Sequence, residues 1–458
     1  MKKILLTAFA TLLAVALNAQ VSVWDGSYEP FDTIHAGTED DPILIENAAQ
    51  FASLQRHTRP FKNFKLMTDI DLNNIDWYPI GYSSVTYLPF HGCFDGNGHT
   101  IYHLTTTLFS CVESGCIKNL TIRDSDIVVQ YGVNVFAGIA NWVPLIENCH
   151  NYGNVILYYD EGDNSLSWDM GGIVGCCNTI RKCSNHGKLM VIAESRINNL
   201  TIGGIAGNAG IVEESYNEGE ISIDSEIHHL CCIGGICGQL FNKAQYCYNT
   251  TDLSVACDES YAGGIVGSIY NSSHDTVFIN SCYFAGVISA DNIGGIIAKN
   301  DYPSITIIAD DSYYLNTISS DNDYGTPKSE DEMKSEDFVT LLNTDEEMFF
   351  MDTYGYINSG YPILKWQHES HVGVDETDWN GNVSVYPNPT DGYIVLSMGS
   401  HESDEFKVRL LAANGNTITE VTITSDQTVF DMSEYTSGVY FMSVDNGKKR
   451  HVWKIIKR

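Results

Sequence analysis

Three aspartates recur at the spacing of a structural repeat and could carry catalytic chemistry. Asp224, Asp258 and Asp291 follow one another at intervals of 34 and 33 residues. In a stacked repeat their carboxylates could converge, either to bind Ca²⁺ in a polysaccharide lyase or to act as paired carboxylates in a glycoside hydrolase. A lyase needs Lys or Arg as a base, and both are sparse in this region. The chain contains 58 Asp and Glu residues, so such a spacing can arise by chance. A β-helix enzyme is therefore the alternative hypothesis, and we expect no catalytic residues and no cofactor.

Cysteine and histidine suggest two kinds of metal site, and their spacing argues against both. Cys176-Cys177 and Cys231-Cys232 lack a second pair at zinc-ribbon spacing. In His368-Glu369-Ser370-His371 the second histidine comes one residue too early for the His-Glu-x-x-His helix of a metallopeptidase. The sequence therefore predicts no metal centre. The 13 cysteines are an odd number, so at least one thiol is unpaired within the chain.

Four tyrosines at one repeated position are the candidate binding residues. Each follows a member of a column in which cysteine and serine alternate at intervals of about thirty residues, as small buried side chains do. Because successive side chains of a strand point to opposite faces, a buried column places the next residue outside. We predict an exposed strip for sugar rings or a partner protein; aromatic packing between neighbouring turns is the alternative. The strip is Tyr216, Tyr248, Tyr283 and Tyr313, and the Cys/Ser column is Cys149, Cys183, Ser215, Cys247, Cys282 and Ser312.

These columns arise from an internal repeat. A Gly-Gly-Ile-Val-Gly run, or a variant of it, occurs six times at intervals of 29 to 34 residues. Short strand-length segments, three to a repeat, are typical of a parallel β-helix in which each turn buries its inner face against its neighbours. Glycine suits the corners, where φ is positive or a Cβ has no room. The isoleucine after the second glycine should form an inner column: Ile139, Ile173, Ile205, Ile236, Ile265 and Ile296. Two residues beyond the Cys/Ser column, a buried amide ladder is expected from Asn151, Asn185, Asn217 and Asn249.

The predicted fold is all-β, with a right-handed parallel β-helix over residues 110–320 as its centre. Residues 20–109 form an N-terminal cap leading into the β-helix, with a short helix that begins at Asn47 and buries Phe51 and Leu54. Residues 321–367 form a C-terminal cap that ends in a strand closing at Trp366. In this cap, a capping box at Ser329 and Glu332 precedes a helical apolar face of Met333, Phe338, Leu341 and Leu342.

The two ends of the chain differ from the repeats. Residues 1–19, with Lys2 and Lys3 before an apolar run, predict a secretory signal peptide. A second apolar run long enough for a transmembrane anchor is not found. Residues 368–382 are a polar linker. Residues 383–458 alternate apolar and polar side chains between Asn-Gly pairs (Asn414-Gly415 and Asn446-Gly447), which predicts a small antiparallel β-sandwich.

The last 76 residues resemble the type A sorting domain of the type IX secretion system of Bacteroidetes. The resemblance rests on "VYPNPTDGYIVL", "LLAANGNTI", "SGVYFMSV" and the basic end "HVWKIIKR". It implies export across the outer membrane by the type IX machinery, followed by attachment to the cell surface or release. Its motif residues here are Tyr386, Pro387, Asn388, Pro389, Gly392, Gly438 and Tyr440.

Residues 37–366 resemble bacterial surface proteins with GLUG repeats. The matching stretches include "GTEDDPILIENAAQFASL", "WYPIG", "FHGCFDGNGHTI", the six glycine runs and "GYPILKW". The net charge of −33 disfavours nucleic acid and anionic membranes as partners. We therefore expect a secreted or surface-attached adhesin, binding module or spacer for glycan or host protein, with a polysaccharide lyase or glycoside hydrolase as the alternative.

Overall fold

The computed structural model describes most of the chain after the first 20 residues. The described residues are 21–31, 34–56, 62–82, 88–129, 134–159, 164–193, 197–270, 275–322, 324–352, 355, 357–371, 384–390, 392–397, 406–412, 417–423, 427–445 and 450–458. The predicted signal peptide, residues 372–382 of the linker and both Asn-Gly pairs lie outside them. The chain divides into two compact units, Met1–Pro327 and Lys328–Arg458.

The first unit is a parallel β-solenoid of about 7 turns. In the described parts of this unit, two sheets run along the solenoid, one of 21 and one of 10 strands. Its strands are β1 (Ser22–Val23), β2 (Ile43–Ile45), β3 (Phe64–Leu66), β4 (Ile70–Asp71), β5 (Phe90–Asp95), β6 (Thr100–Tyr102), β7 (Phe109–Arg123), β8 (Asp126–Val129), β9 (Val135–Ala137), β10 (Ala140–Asn151), β11 (Asn154–Tyr159), β12 (Asn164–Gly171), β13 (Val174–Arg181), β14 (Ser184–Asn185), β15 (Leu189–Ala193), β16 (Ile197–Gly203), β17 (Ala206–Glu213), β18 (Tyr216–Asn217), β19 (Ile221–Gly234), β20 (Cys237–Gln245), β21 (Tyr248–Asn249), β22 (Leu253–Gly263), β23 (Val266–Ile269), β24 (Thr276–Asn280), β25 (Tyr283–Phe284), β26 (Ile288–Ser289), β27 (Asn292–Gly294), β28 (Ile297–Asn300), β29 (Thr306–Ile308), β30 (Tyr313–Leu315) and β31 (Thr326–Lys328).

The six isoleucines form the inner column that the sequence predicts. All six side chains are fully buried. The backbone N–H of Ile173 donates to the carbonyl of Ile205 over 3.0 Å, and that of Ile205 donates to the carbonyl of Ile236 over 2.9 Å. Each turn therefore lies directly on the next, in the register set by the repeat.

The strands and corners differ from the prediction in two respects. The turn that follows Gly203 does contain three strands, but they are unequal, with 8 residues in β17, 2 in β18 and 14 in β19. The second glycines of the motif do not take positive φ angles. Gly204 is required for close approach instead, since a Cβ there would lie 2.2 Å from the carbonyl oxygen of Gly235 and 2.4 Å from Cγ of Asn217. Positive φ angles occur at the residues preceding the Cys/Ser column: Asn148, Lys182, Glu214, Tyr246, Ser281 and Asp311.

The N-terminal segment contains the expected short helix. Helix α1 (Ala48–Ala52) begins after Asn47, whose side chain accepts a hydrogen bond from the backbone N–H of Gln50, and a 3-10 turn (Ser53–Arg56) follows. Phe51 and Leu54 are buried as predicted.

Among its described residues, the second unit contains three helices and three small sheets. Its elements are α2 (Glu330–Met333), α3 (Glu336–Leu342), β32 (Phe349–Phe350), β33 (Ile363–Leu364), α4 (Lys365–His371), β34 (Ser384–Tyr386), β35 (Tyr393–Ser397), β36 (Phe406–Ala412), β37 (Thr417–Ile423), β38 (Gln427–Asp431), β39 (Gly438–Asp445) and β40 (Arg450–Lys457). Antiparallel sheets β34-β35-β38 and β37-β36-β39-β40 enclose one apolar core, which confirms the predicted sandwich.

Three details of the predicted C-terminal cap are settled by the structure. Ser329 and Glu332 form the expected capping box. Leu341 does not belong to the buried face, since it is exposed while Phe338 and Leu342 are buried. The strand expected to close at Trp366 ends at Leu364, and helix α4 follows it and extends into the predicted linker as far as His371.

Candidate functional site

The four tyrosines form a column but not an exposed strip. Tyr248 and Tyr283 are fully buried, and Tyr216 and Tyr313 are nearly so. The rings of Tyr216 and Tyr248 stack with centroids 4.8 Å apart, and those of Tyr248 and Tyr283 with centroids 5.1 Å apart. The prediction of exposure was wrong because rings in successive turns cover one another, as in the alternative of aromatic packing. This surface is therefore not available to a ligand.

The three aspartates do not share a position in the stack. Asp224 is in register with Ala256, whereas Asp291 lies beside Asn292, which is in register with Tyr261. The register of β19 and β22 is irregular between Asp224 and Leu230, so the regular sequence interval does not place the aspartates side by side. The carboxylate of Asp291 accepts hydrogen bonds from the backbone N–H and the hydroxyl of Ser260, over 3.2 and 2.8 Å. Among the described residues, no group of three or more His, Cys, Asp or Glu side chains could hold a metal ion.

A groove instead follows the third glycine of the repeated motif. Gly175, Gly207, Gly238 and Gly267 lie beside it, where the first sheet closely approaches the second, and we call it the glycine groove. A Cβ on Gly207 would lie 2.9 Å from the backbone nitrogen of Met170, and one on Gly238 would lie 2.5 Å from Cγ2 of Thr201. A side chain at this position would therefore clash with the neighbouring sheet. Only the first and last copies of the motif have a residue other than glycine there, Asn141 and Ala298.

Two columns of outward side chains flank the glycine groove. Each follows from strand alternation and the parallel register. One column, from the end of the second sheet, is Val135, Asp169, Thr201, Cys232, Tyr261 and Asn292. The other, from the start of the first sheet, is Trp142, Cys176, Asn208, Gln239, Ser268 and Lys299.

The central part of the glycine groove is a cavity of about 440 Å³. Hydroxyl, amide and aromatic groups predominate among its lining residues, which are Ser167, Asp169, Asn199, Leu200, Thr201, Asn208, Leu230, Cys232, Gln239, Phe241 and Tyr270. The buried side-chain oxygen of Asn208 has no hydrogen-bond partner within the described part of the chain. Most of the lining residues can therefore form hydrogen bonds or ring contacts with a ligand.

Asp169 is the carboxyl group of this lining. Burial raises its pKa to about 6, while hydrogen bonds from Asn208, Thr201 and Cys176 act in the opposite direction. The thiol of Cys176 lies 3.9 Å from its Oδ2. Burial and the nearby carboxylate raise the pKa of Cys176 to about 12, so this thiol is protonated and not a nucleophile at neutral pH.

An aromatic row continues along one side of the glycine groove. The ring centroids of Phe241 and Tyr270 are 5.1 Å apart, and those of Tyr270 and Tyr302 are 6.0 Å apart. Tyr270 is 42% exposed. Nearby, the ammonium group of Lys299 lies 4.3 Å from the ring centroid of Tyr261. The row thus presents ring faces and edges next to the polar lining.

The sequence interpretation missed the glycine groove. Its two side columns change residue type in every copy, so they give no periodic signal. The usable signal was the glycine run itself, because it separates the two columns by seven residues in every copy, as in Asp169 and Cys176.

In the sandwich, the sorting-motif residues gather around strand β40. The side-chain oxygen of Asn388 accepts a hydrogen bond from the backbone N–H of Ile456 over 2.8 Å. Gly438 and Tyr440 lie in β39, in register with Lys457 and Ile455, and the Tyr440 hydroxyl donates to the carbonyl of Thr436 over 2.8 Å. The carbonyl of Gly392 accepts from the backbone N–H of Met432. Tyr386, at the end of β34, and Pro387 and Pro389, which follow it, are partly buried. Through Asn388, the motif therefore links the segment after β34 to the C-terminal strand β40.

Comparison with protein families identifies this sandwich. Residues 384–458 match the secretion system C-terminal sorting domain. This domain indicates type IX secretion, and hence the type IX machinery as a partner, with the cell surface or the extracellular space as destination. The helices found among the described residues lack the length and hydropathy that a membrane-spanning helix requires.

Two characterised proteins are similar to part of the chain. The immunoglobulin A1 protease of Streptococcus sanguinis is 25% identical over 183 residues, which are 33% of this chain and 10% of the protease. Halomucin of Haloquadratum walsbyi is 28% identical over 192 residues, which are 36% of this chain and 2% of halomucin. The chain thus spans a tenth or less of either relative. The GLUG assignment and the origin in Bacteroidetes remain predictions.

Proposed function

We propose that this secreted β-solenoid is an extracellular binding module that holds a glycan in the glycine groove. The observation that supports this most directly is the composition of the groove lining, where amides and hydroxyls adjoin an aromatic row. Sugars present hydroxyl groups around apolar ring faces, so they are recognised by planar polar groups beside aromatic rings.

Charge favours an uncharged or cationic glycan over an anionic one. The whole chain carries a net charge of −33, and Asp169 adds a carboxyl group to the groove. A polyanionic glycan would meet repulsion along the entire solenoid, whereas a neutral chain of sugars would not. The adhesin hypothesis also allows a host or extracellular protein as the ligand. A glycan attached to such a protein would be consistent with both kinds of ligand.

Binding is favoured over catalysis by the count of carboxyl groups in the groove lining. A glycoside hydrolase uses two carboxyl groups on opposite sides of the scissile bond. Asp169, with its pKa raised to about 6, has the properties of a general acid, but the described lining supplies no second carboxylate. A polysaccharide-cleaving enzyme therefore stays the second candidate. The partial similarity to the immunoglobulin A1 protease covers too little of that protein to extend its activity here.

The decisive experiment screens the full secreted protein against an array of neutral, cationic and anionic glycans. We expect binding of a neutral or cationic glycan, and the affinity for the best ligand should then be measured by calorimetry. Tyr270→Ala should weaken this affinity roughly tenfold, since one aromatic contact contributes about 0.5–1.5 kcal/mol beyond its buried area. Gln239→Ala should also weaken it.

Phe278→Ala is the matched control, because Phe278 is an exposed aromatic residue of the same solenoid outside the groove lining. Equal affinity of the Tyr270 and Phe278 variants would show that the ligand binds elsewhere. Release of oligosaccharide fragments during incubation with the best ligand would favour the enzyme instead, and loss of that release in Asp169→Asn would assign it to the groove.

A further inference from the structure

The Cys/Ser column has an ordered composition. Along the chain it reads cysteine, cysteine, serine, cysteine, cysteine, serine, and every member is buried. The strand before Cys149 contributes Leu120 at the same register position. Each of the four cysteines therefore has one cysteine neighbour in the column, and that neighbour is unique. If cysteine served only as a small side chain interchangeable with serine, nothing would require it to occur in isolated pairs.

The register places the two members of each pair opposite one another. Cys149 and Cys183 lie between the partners Glu147↔Arg181 and His150↔Ser184. Cys247 and Cys282 lie between Gln245↔Asn280 and Tyr248↔Tyr283. Neighbouring strands are about 4.8 Å apart, within the range of Cα separations that a disulfide spans. In the structure all four are buried free thiols, and each donates a hydrogen bond to the carbonyl two residues before it.

The solenoid already contains one bond of this kind. Cys93 in β5 and Cys116 in β7 are register partners in neighbouring parallel strands, and they form a disulfide with a Cα–Cα distance of 4.4 Å. A link between adjacent turns is therefore compatible with this backbone.

We propose that Cys149–Cys183 and Cys247–Cys282 are sites of disulfide formation during export, each linking two adjacent turns. The sorting domain indicates secretion to the cell surface or the extracellular space, and compartments outside the cytoplasm favour disulfides. The oxidant is the disulfide of a thiol–disulfide oxidoreductase. One cysteine loses its proton and attacks this disulfide to give a mixed disulfide, and the second cysteine, also deprotonated, displaces the catalyst's thiolate. The protein loses two electrons and two protons, and the catalyst becomes a dithiol.

The order of folding and oxidation follows from burial. Burial raises the pKa of the Cys149 and Cys247 thiols, and a protonated thiol in a closed core does not attack a disulfide. Each pair must therefore react while the second turn is docking onto the first. Afterwards, the same burial protects the bond from reductants.

The test counts free thiols in the secreted full-length protein. The protein is denatured in an alkylating reagent without reductant, and its mass gives the number of alkylated cysteines. Cys149→Ser should increase this number by one, because Cys183 loses its partner. Cys237→Ser should decrease it by one, because Cys237 is a buried cysteine whose register partners are Ala206 and Val266.

The opposite signs for the two variants are the expected result, whatever the state of the remaining cysteines. A decrease of one in both variants would overturn the Cys149–Cys183 bond. If Cys149→Ser is not secreted, proteolysis of the unreduced wild-type protein decides: peptides linked through Cys149–Cys183 and Cys247–Cys282 support the proposal, and alkylated forms of all four cysteines refute it.

Discussion

The side-chain amide of Asn185 donates a hydrogen bond to the side-chain oxygen of Asn217 in the next turn, over 2.9 Å. The same contact links Asn151 to Asn185 and Asn217 to Asn249, each over 3.0 Å. Asn185 also donates to the carbonyl of Gly187 over 2.9 Å. All four side chains are fully buried. Because a buried amide is costly unless it is paired, this ladder stabilises the stack only when every turn keeps its register.

Asn185→Ala should therefore lower the free energy of unfolding by about 2–4 kcal/mol, since it removes a ladder member and weakens the bonding of Asn151 and Asn217. The midpoint of urea unfolding, followed by circular dichroism, measures the effect. Asn178→Ala, at an exposed position of the same turn, is the control and should change the midpoint little. Equal midpoints for the two variants would show that the ladder does not contribute to stability.

Sequence periodicity predicted the inside of the solenoid better than its outside. The Ile205 and Asn217 columns are confirmed because an inner position admits few side chains, so the residue type repeats. The position of Tyr248 was misjudged because alternation decides which face a side chain occupies, whereas its burial depends on neighbouring turns. Fully buried Tyr248 and Tyr283 lie in the middle of the column, and Tyr216 and Tyr313 retain slight exposure at its ends.

Periodicity also failed to predict the glycine groove and the positions of the aspartates. Cys176, Asn208 and Gln239 occupy one column, but they share no residue type by which the sequence could align them. The interval between Asp224 and Asp291 suggested a column that register irregularities break. Such irregularities add or remove residues within a strand, and the periodicity of the motif does not record them.

Ile205→Asp should prevent stable folding of the repeats, because it places an unpaired charge in the inner column at a cost of several kcal/mol. The expected result is loss of the folded circular dichroism signal or of the secreted protein. Ile192→Asp is the control, since Ile192 is 41% exposed on the same solenoid. A folded, secreted Ile205→Asp protein would contradict an inner column.

Gly238→Ala should narrow the glycine groove. The added methyl carbon would meet Thr201 Cγ2 at 2.5 Å and the carbonyl oxygen of Gly207 at 2.8 Å, so neighbouring backbone must shift. We expect a loss of about 1–3 kcal/mol of stability and weaker binding of the glycan found on the array. Thermal unfolding and calorimetry measure the two effects. Gly392→Ala, where no atom lies within 4 Å of the new methyl group, should leave the melting temperature unchanged.

Asp169 should make the stability of the solenoid depend on pH with an unusual sign. Burial raises the pKa of its carboxyl from 3.8 to about 6 in the folded protein, so the folded state holds the proton more tightly than the unfolded state. The contribution of Asp169 to stability should therefore be greatest below pH 4, fall as the pH rises from about 4 to about 6, and stay lower above that. This penalty on the carboxylate amounts to about 1–3 kcal/mol at neutral pH.

Asp169→Asn removes the titrating group and with it the penalty. The variant should match the wild-type protein in free energy of unfolding near pH 4 and exceed it by about 1–3 kcal/mol at pH 8. Urea unfolding at intervals of one pH unit measures the difference, and Asp275→Asn, an exposed substitution of the same chemistry, is the control. A variant less stable than the wild-type protein at pH 8 would mean that Asp169 is stabilised as the carboxylate by its contacts with Thr201 and Asn208, and that its burial does not control its charge.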